Sequence, residues 1–188
     1  MCPCGALVDT NSLHGISCKL NSGKHAKHAN FNELIYHALK SSDIPAVKES
    51  TGLSRSDGKR PDGLSLVPWK SGKCLIWDVT IVDTMAQSYL QSTSQNACAA
   101  AEMAAERKHN KYVDLEHDYM FVPVAFESFG SICKEGRAFI SEIGRRLSLS
   151  TGEVRETSFL FQRLSVSIQH FNHVLFCGSF NNYFDRHD

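Results

Sequence analysis

The sequence predicts a mixed α/β protein of the α+β kind, in which a helix, a three-strand meander, a second helix and a fourth strand form the core. A Cys- and His-rich segment precedes that core, and two helices follow it. Three observations carry this expectation. Cys74–Val82 is a continuous apolar run, the pattern of a central strand covered on both faces. The Lys70-Ser-Gly-Lys73 turn joins it backwards to Gly63–Trp69, making a hairpin. Ala97–Tyr112 is rich in Ala, Glu and Lys, the residues with the strongest intrinsic preference for helix.

The elements follow in order. Residues 1–28 contain Cys2, Cys4, His14, Cys18, His25 and His28 and few large apolar side chains, a composition for a metal-stapled knuckle rather than a packed core. Phe31–Lys40 places Phe31, Leu34, Ile35, Ala38 and Leu39 on one helical face, with Asn30 as N-cap. Ile44–Glu49 reads as a short strand and Ser50–Lys59 as a loop. Gly63–Trp69 alternates through Leu64, Leu66 and Pro68, and Gln87–Gln95 is polar and turn-prone. Met120–Phe126 is a strand that Pro123 moves to an edge or a bulge. Lys134–Leu147 is an amphipathic helix through Phe139, Ile140, Ile143 and Leu147; a last helix is expected from Thr151 through Phe159, Leu164, Ile168 and Phe171. The expected division is a knuckle over 1–28, a core over 29–148 and a helical extension over 149–188.

Composition narrows the function. With 188 residues and 42% hydrophobic content the chain can bury one ordinary core. No apolar run approaches the roughly 18 residues of a membrane span, and the N-terminus lacks the regions of a signal peptide, so an intracellular protein with no membrane partner is expected. Lys plus Arg and Asp plus Glu each number 20, which excludes a histone-like coat protein acting by bulk charge. Basic residues instead cluster locally, at Lys19–His28, Arg107–Lys111 and Arg137–Arg146. Seven cysteines leave one unpaired in any disulfide scheme, so the thiols are read as reduced, with Cys74, Cys98, Cys133 and Cys177 as small apolar fillers. There is no Gly-x-Ser-x-Gly elbow for a serine hydrolase and no Gly-rich phosphate loop.

Two acids carry the chemistry. Asp62 opens one strand and Asp78 lies midway along its neighbour, where a carboxylate costs several kcal/mol unless paired, hydrogen-bonded or bound to a cation. Magnesium held by the two acids is the expected explanation, with Glu33 on the first helix as a third acidic ligand. Cys2-x-Cys4, nine residues, His14, three residues and Cys18 supply three thiols and an imidazole, a set for tetrahedral zinc; His25 or His28 are alternative ligands. Asp57, Asp83 and Glu127 are read as solvated acids.

The element order, with Arg60-Pro-Asp62, then Asp78, then Lys108-His-Asn-Lys111-Tyr112, resembles the restriction-like endonuclease of PD-(D/E)XK type found at the C-terminal end of site-specific non-LTR retrotransposons. The Cys-Cys-His-Cys segment ahead of it, Phe121-Val-Pro123-Val and Ile140-Ser-Glu-Ile-Gly-Arg-Arg146 extend the likeness over nearly the whole chain. The resemblance implies an αβββαβ core that nicks DNA with Mg2+ (or Mn2+), Asp62 and Asp78 as metal ligands, and Lys108 or Lys111 as the base. It also implies a zinc-bearing knuckle, a nuclear location, and DNA as partner, with RNA or a reverse transcriptase module as further partners. The pattern departs at Thr80, where the lysine two residues after the second acid is missing; a catalytically inactive nucleic-acid-binding module and a retroelement relic are the alternatives. No polymerase fits beside this core, so a fragment, a relic or a domesticated domain is expected. The discriminating feature is whether Asp62, Asp78 and a lysine amine converge.

Overall fold

In the computed structural model, which describes residues 2, 4–8, 13–18, 20–53 and 58–179, the apolar run becomes β3 (Lys73–Val82), an inner strand of a four-stranded mixed sheet. β1 (Ala46–Lys48) pairs antiparallel with β2 (Gly63–Lys70), β2 antiparallel with β3, and β3 parallel with β4 (Met120–Glu127), in the spatial order β1-β2-β3-β4. Among the described residues six α-helices surround it: α1 (Leu13–Ser17), α2 (Gly23–Ser41), α3 (Gln87–Thr93), α4 (Ala99–Tyr112), α5 (Lys134–Thr151) and α6 (Glu156–Gly178). Among the described residues no helix is long and apolar enough to cross a membrane. Lys19 and Asp57 lie outside the described residues.

Alternation along β3 divides the molecule into layers. Leu75, Trp77 and Val79 enter a core built with Phe31, Ile35 and Leu39 of α2, Phe139, Ile140 and Ile143 of α5, and Leu160, Leu164 and Ile168 of α6. Ile76 faces the other way, onto Tyr112 of α4, with Phe121 of β4 and Leu53. Asp78, two residues beyond Ile76, therefore points to the α4 side. The parallel β3–β4 pair is what α4 makes possible, since parallel neighbours need a crossover and the helix supplies it. Pro123 is tolerated because β4 is an edge strand; residues 131–133 partly cover that edge, with Glu127 N–H donating to Ser131 O at 2.8 Å and Cys133 N–H to Ala125 O at 3.0 Å.

The hairpin turn is as the sequence predicts: Ser71 and Gly72 have φ of 51° and 76°, the left-handed pair of a type I′ loop. Other expectations change. The first helix starts at Gly23, so Asn30 is inside it and caps nothing, and the last helix starts at Glu156. Thr151 instead ends α5, where Gly152 at φ 77° takes the left-handed terminating position. Gln87–Thr93, read as turn, is helical. Within β2 the expected alternation holds at Leu64, which packs against the Ile76–Tyr112 cluster, but fails beyond it: Leu66 is exposed and Ser65 fully buried. The register shifts around Pro68, and the Ser65 hydroxyl bridges the irregularity, accepting from Leu75 N–H at 2.9 Å and donating to Val67 O at 2.7 Å.

α5 and α6 meet at Gly144, where a Cβ would lie 2.5 Å from Thr157 Oγ1 and 2.6 Å from its Cα. Gly144→Ala must push the helices apart, and a loss of about 1–3 kcal/mol is expected from equilibrium urea unfolding, the usual range for overpacking a fitted core. An unchanged midpoint would mean that this interface is not close-packed.

Candidate functional site

The site grows from Trp77. Its indole is fully buried, and its Nε1–H donates to Asn32 Oδ1 of α2 at 2.9 Å. Gly63 pairs across from Trp77, and a Cβ at position 63 would lie only 2.0 Å from the indole ring. The residue after Asp62 must therefore be glycine for the two strands to close. Asp62 is then fixed by its own backbone, its N–H donating to Trp77 O at 3.0 Å and its carbonyl accepting from Asn32 Nδ2 at 3.4 Å. Its carboxylate turns along the sheet and accepts from Val79 N–H at 2.6 Å.

Asp78 is buried with 3% of its surface exposed, beside two amines from consecutive turns of α4. Lys108 Nζ donates to Oδ1 at 2.7 Å, and Lys111 Nζ lies 3.6 Å from Oδ2. Two cations against one buried carboxylate are what offsets its desolvation. Burial pushes the Lys111 amine below the usual lysine range, against the opposing pull of Asp78 and with help from Lys108. Tyr112, fully buried, ties α4 to the loop before Asp62: its hydroxyl accepts from Lys111 Nζ at 2.5 Å and donates to Arg60 O at 2.9 Å. At the other end of α4 the buried Glu127 carboxylate accepts from Ala100 and Ala101 N–H at 3.0 and 3.2 Å. Glu127 is thus a helix-end acceptor and not the solvated acid expected from sequence.

A third side chain joins the acids. His28 Nε2 lies 3.1 Å from Asp62 Oδ2 and 3.1 Å from Val79 O. His28, Asp62 and Asp78 each offer a ligand atom, and all three atoms lie within 4.8 Å of one another. The Asp62 hydrogen bond raises the imidazole above its ordinary value, against the effect of burial. Glu33, the expected third acid, is not in this group. It is ion-paired with Lys48 of β1 and lies 3.4 Å from His37, because it is rotated about 100° around the helix from Asn32, which faces the sheet. The sequence held a signal for His28 in its i, i+4 spacing to Asn32, hidden because the helix was expected to begin only at Phe31.

The N-terminal segment forms a second group. Cys2, Cys4, His14 and Cys18 bring three Sγ and one ring nitrogen within 4.8 Å of one another, a set compatible with zinc. Cys2 Sγ is 3.5 Å from Cys18 Sγ, and Cys4 Sγ is 3.0 Å from His14 Nε2. Hydrogen bonding to the Ala6 backbone draws the Cys4 thiol down to about 7, against burial and with help from its Cys2, His14 and Cys18 neighbours. All seven cysteines are free, as expected; Cys133 is a buried filler that also accepts from Gly136 N–H at 3.3 Å, whereas Cys177 is exposed beside His173. Asn21 fastens this segment to α6, donating to Leu175 O at 2.8 Å and Gly15 O at 3.4 Å.

Beside His28 opens a cleft of about 180 Å³, lined by Ile16, Lys24, Lys27, Thr80, Asp83 and Ser128 among others. Thr80, where the resemblance leads one to look for a lysine, faces this cleft; Lys108 and Lys111 reach Asp78 from α4. A larger cleft of about 460 Å³ beside Trp69, Phe139 and Arg146 lies at the far end of β2 from Asp62 and does not include the acids or the two lysines. No family model matches the chain, and no curated protein matches it.

Lys27 is buried, with its Nζ donating to Asn172 Oδ1 at 2.8 Å. Burial depresses it to about 8, only partly offset by Asp83 and reinforced by Lys24. The unfolded chain holds this proton up to the ordinary lysine range near 10.4, so between the two values unfolding takes up a proton and stability rises with pH. The penalty is fully present below pH 8. Lys27→Met should therefore raise the melting temperature at pH 7, with the gain over wild type shrinking as pH approaches 10. A variant that melts lower at pH 7 would show that the Asn172 hydrogen bond outweighs the buried charge.

Proposed function

We propose that this chain is a metal-dependent DNA endonuclease domain of the PD-(D/E)XK type, related to the restriction-like endonucleases of non-LTR retrotransposons, and that it nicks one strand of its target. The observation that carries the reading is the convergence of the Asp62–Asp78 pair with the Lys108 and Lys111 amines from three separate elements. The helix, antiparallel meander, crossover helix and parallel fourth strand support it, being the order that the resemblance implies.

Asp62 and Asp78 are the residues to hold Mg2+ or Mn2+. A bound divalent ion supplies charge neutralisation at the scissile phosphate and lowers the pKa of a coordinated water. The chain's own groups do the rest. Lys108, hydrogen-bonded to Asp78, brings positive charge to the place where negative charge develops. Lys111, whose ammonium form is disfavoured by burial, is the better proton acceptor of the two. Its hydrogen bond to Tyr112 keeps the amine aimed at Asp78. Cys2, Cys4, His14 and Cys18 hold zinc in this reading, and the knuckle grips nucleic acid beside the lysine-lined cleft. DNA in the nucleus is the proposed partner, with RNA or a reverse transcriptase module as additional ones.

Supercoiled plasmid should be nicked in Mg2+ or Mn2+ by the zinc-loaded chain. Asp78→Ala should abolish nicking, and Lys111→Ala should lower it about 10²- to 10⁴-fold, the ordinary scale of general acid–base catalysis. A folded, zinc-loaded wild type that binds DNA without nicking it would replace the enzyme with a non-catalytic nucleic-acid-binding module. With equal numbers of acidic and basic residues, binding should be weak and should fall as salt is raised fourfold; a constant affinity would count against phosphate contacts. Replacing the knuckle ion by Co2+ should give thiolate charge-transfer absorption that Cys4→Ser weakens, and chelation should lower the melting temperature. A featureless spectrum would leave the four residues as unligated thiols and imidazole.

A further inference from the structure

The proposed metal site has a donor that the acid pair alone does not account for. His28 projects from α2 into the space bounded by Asp62, Val79 and Asp78, and its Nε2 makes two contacts of equal length, 3.1 Å to Asp62 Oδ2 and 3.1 Å to Val79 O. Six-coordinate ions of this class hold their ligands at about 2.1 Å, which places adjacent ligands about 3.0 Å apart. The two separations match adjacent corners of one coordination shell. The Asp78 oxygen lies within 4.8 Å of both side-chain atoms, so the three donors face one small space. Val79 O stays at this corner because the Val79 N–H is held by Asp62 on the same stretch of strand.

We infer that His28 is a direct metal ligand and that the site therefore favours a first-row transition ion such as Mn2+ over Mg2+. The inference rests on the proposed endonuclease reading for the purpose of the ion, but on the contacts of His28 for its identity. Magnesium takes oxygen ligands almost exclusively, whereas imidazole nitrogen suits transition ions, whose affinity for nitrogen-containing sites rises along the series. Asn32 and Phe31 keep the helix face that carries His28 against the sheet, Asn32 through Trp77 and Phe31 through its fully buried ring. The imidazole is thus presented by a packed helix and not by a loop.

The full chain, zinc-loaded so that the cysteine cluster is occupied, is titrated with Mn2+ and with Mg2+ in the absence of DNA. Mn2+ should bind at least about tenfold more tightly than Mg2+, as expected for a mixed nitrogen–oxygen site. Pulsed electron paramagnetic resonance of the Mn2+ form should show modulation from a directly bound imidazole nitrogen. His28→Ala should remove the modulation and the preference together, and His28→Glu, restoring an all-oxygen set, should bring the two affinities to within about threefold of each other. Circular dichroism checks that both variants fold. Mn2+ binding that depends on Asp78 but shows no nitrogen modulation would overturn the inference and make His28 a hydrogen-bonding support for Asp62. Absence of any Asp78-dependent binding would overturn the metal site itself. Nicking activity, measured separately, distinguishes these results from failure of the endonuclease reading, since a protein that ligates Mn2+ through His28 without cutting DNA loses only the latter.

Discussion

A carboxylate halfway along an apolar inner strand sets the terms on which this sheet is built. Asp78 is flanked in sequence by Trp77 and Val79, both committed to the helical core on one face, so its side chain has no choice but the other face. There it needs cations, and α4 is the element that brings lysines to it. The helix delivers two, on consecutive turns, and its placement is secured at both ends: Glu127 accepts from its first free N–H groups, and Tyr112 closes its last turn onto the backbone of Arg60. The crossover, the parallel strand pair and the buried ion cluster are thus one solution to one electrostatic problem.

The opposite face is held by packing, and its consequence is again geometric. The Trp77 indole fills the space where residue 63 would carry a side chain, and that enforced glycine is what lets Asp62 approach β3 closely enough to accept from Val79 N–H. A single large side chain in the core therefore sets the distance between the two acids. Asn32 links the same indole to α2, so that the helix carrying His28 is registered against the strands carrying both acids. Core packing and site geometry cannot be varied independently here.

The N-terminal segment contributes through α2. α2, which carries His28, begins at Gly23, five positions after Cys18 of the Cys/His cluster. Asn21 fastens the junction to α6, which itself packs on α2 and α5. The cleft beside His28 is lined by Lys24 and Lys27 of α2 and by Asp83, just beyond β3. Lys27 is buried at the expense of its charge, a cost that would be unusual in a surface lysine with no role beyond solvation.

The sequence by itself determined the mixed α/β class of the fold, the central strand, its hairpin and the Ala-rich helix, and it marked Asp62 and Asp78 as acids in need of a partner. Each of these rests on local pattern: period, turn chemistry, or an acid where an apolar residue belongs. It also placed Cys2, Cys4, His14 and Cys18 in one group from their spacing. What only the tertiary structure decided were the orientations. Whether Glu33 or His28 faces the acids depends on the rotation of α2 about its axis, fixed by Asn32 bonding to Trp77 forty-five positions away. Whether Ser65 or Leu66 points inward depends on a register shift at Pro68, and the role of Glu127 depends on where the N-terminus of α4 comes to rest. Residues far apart in the chain settle such matters by packing and by satisfying buried polar groups, and local pattern carries no record of them.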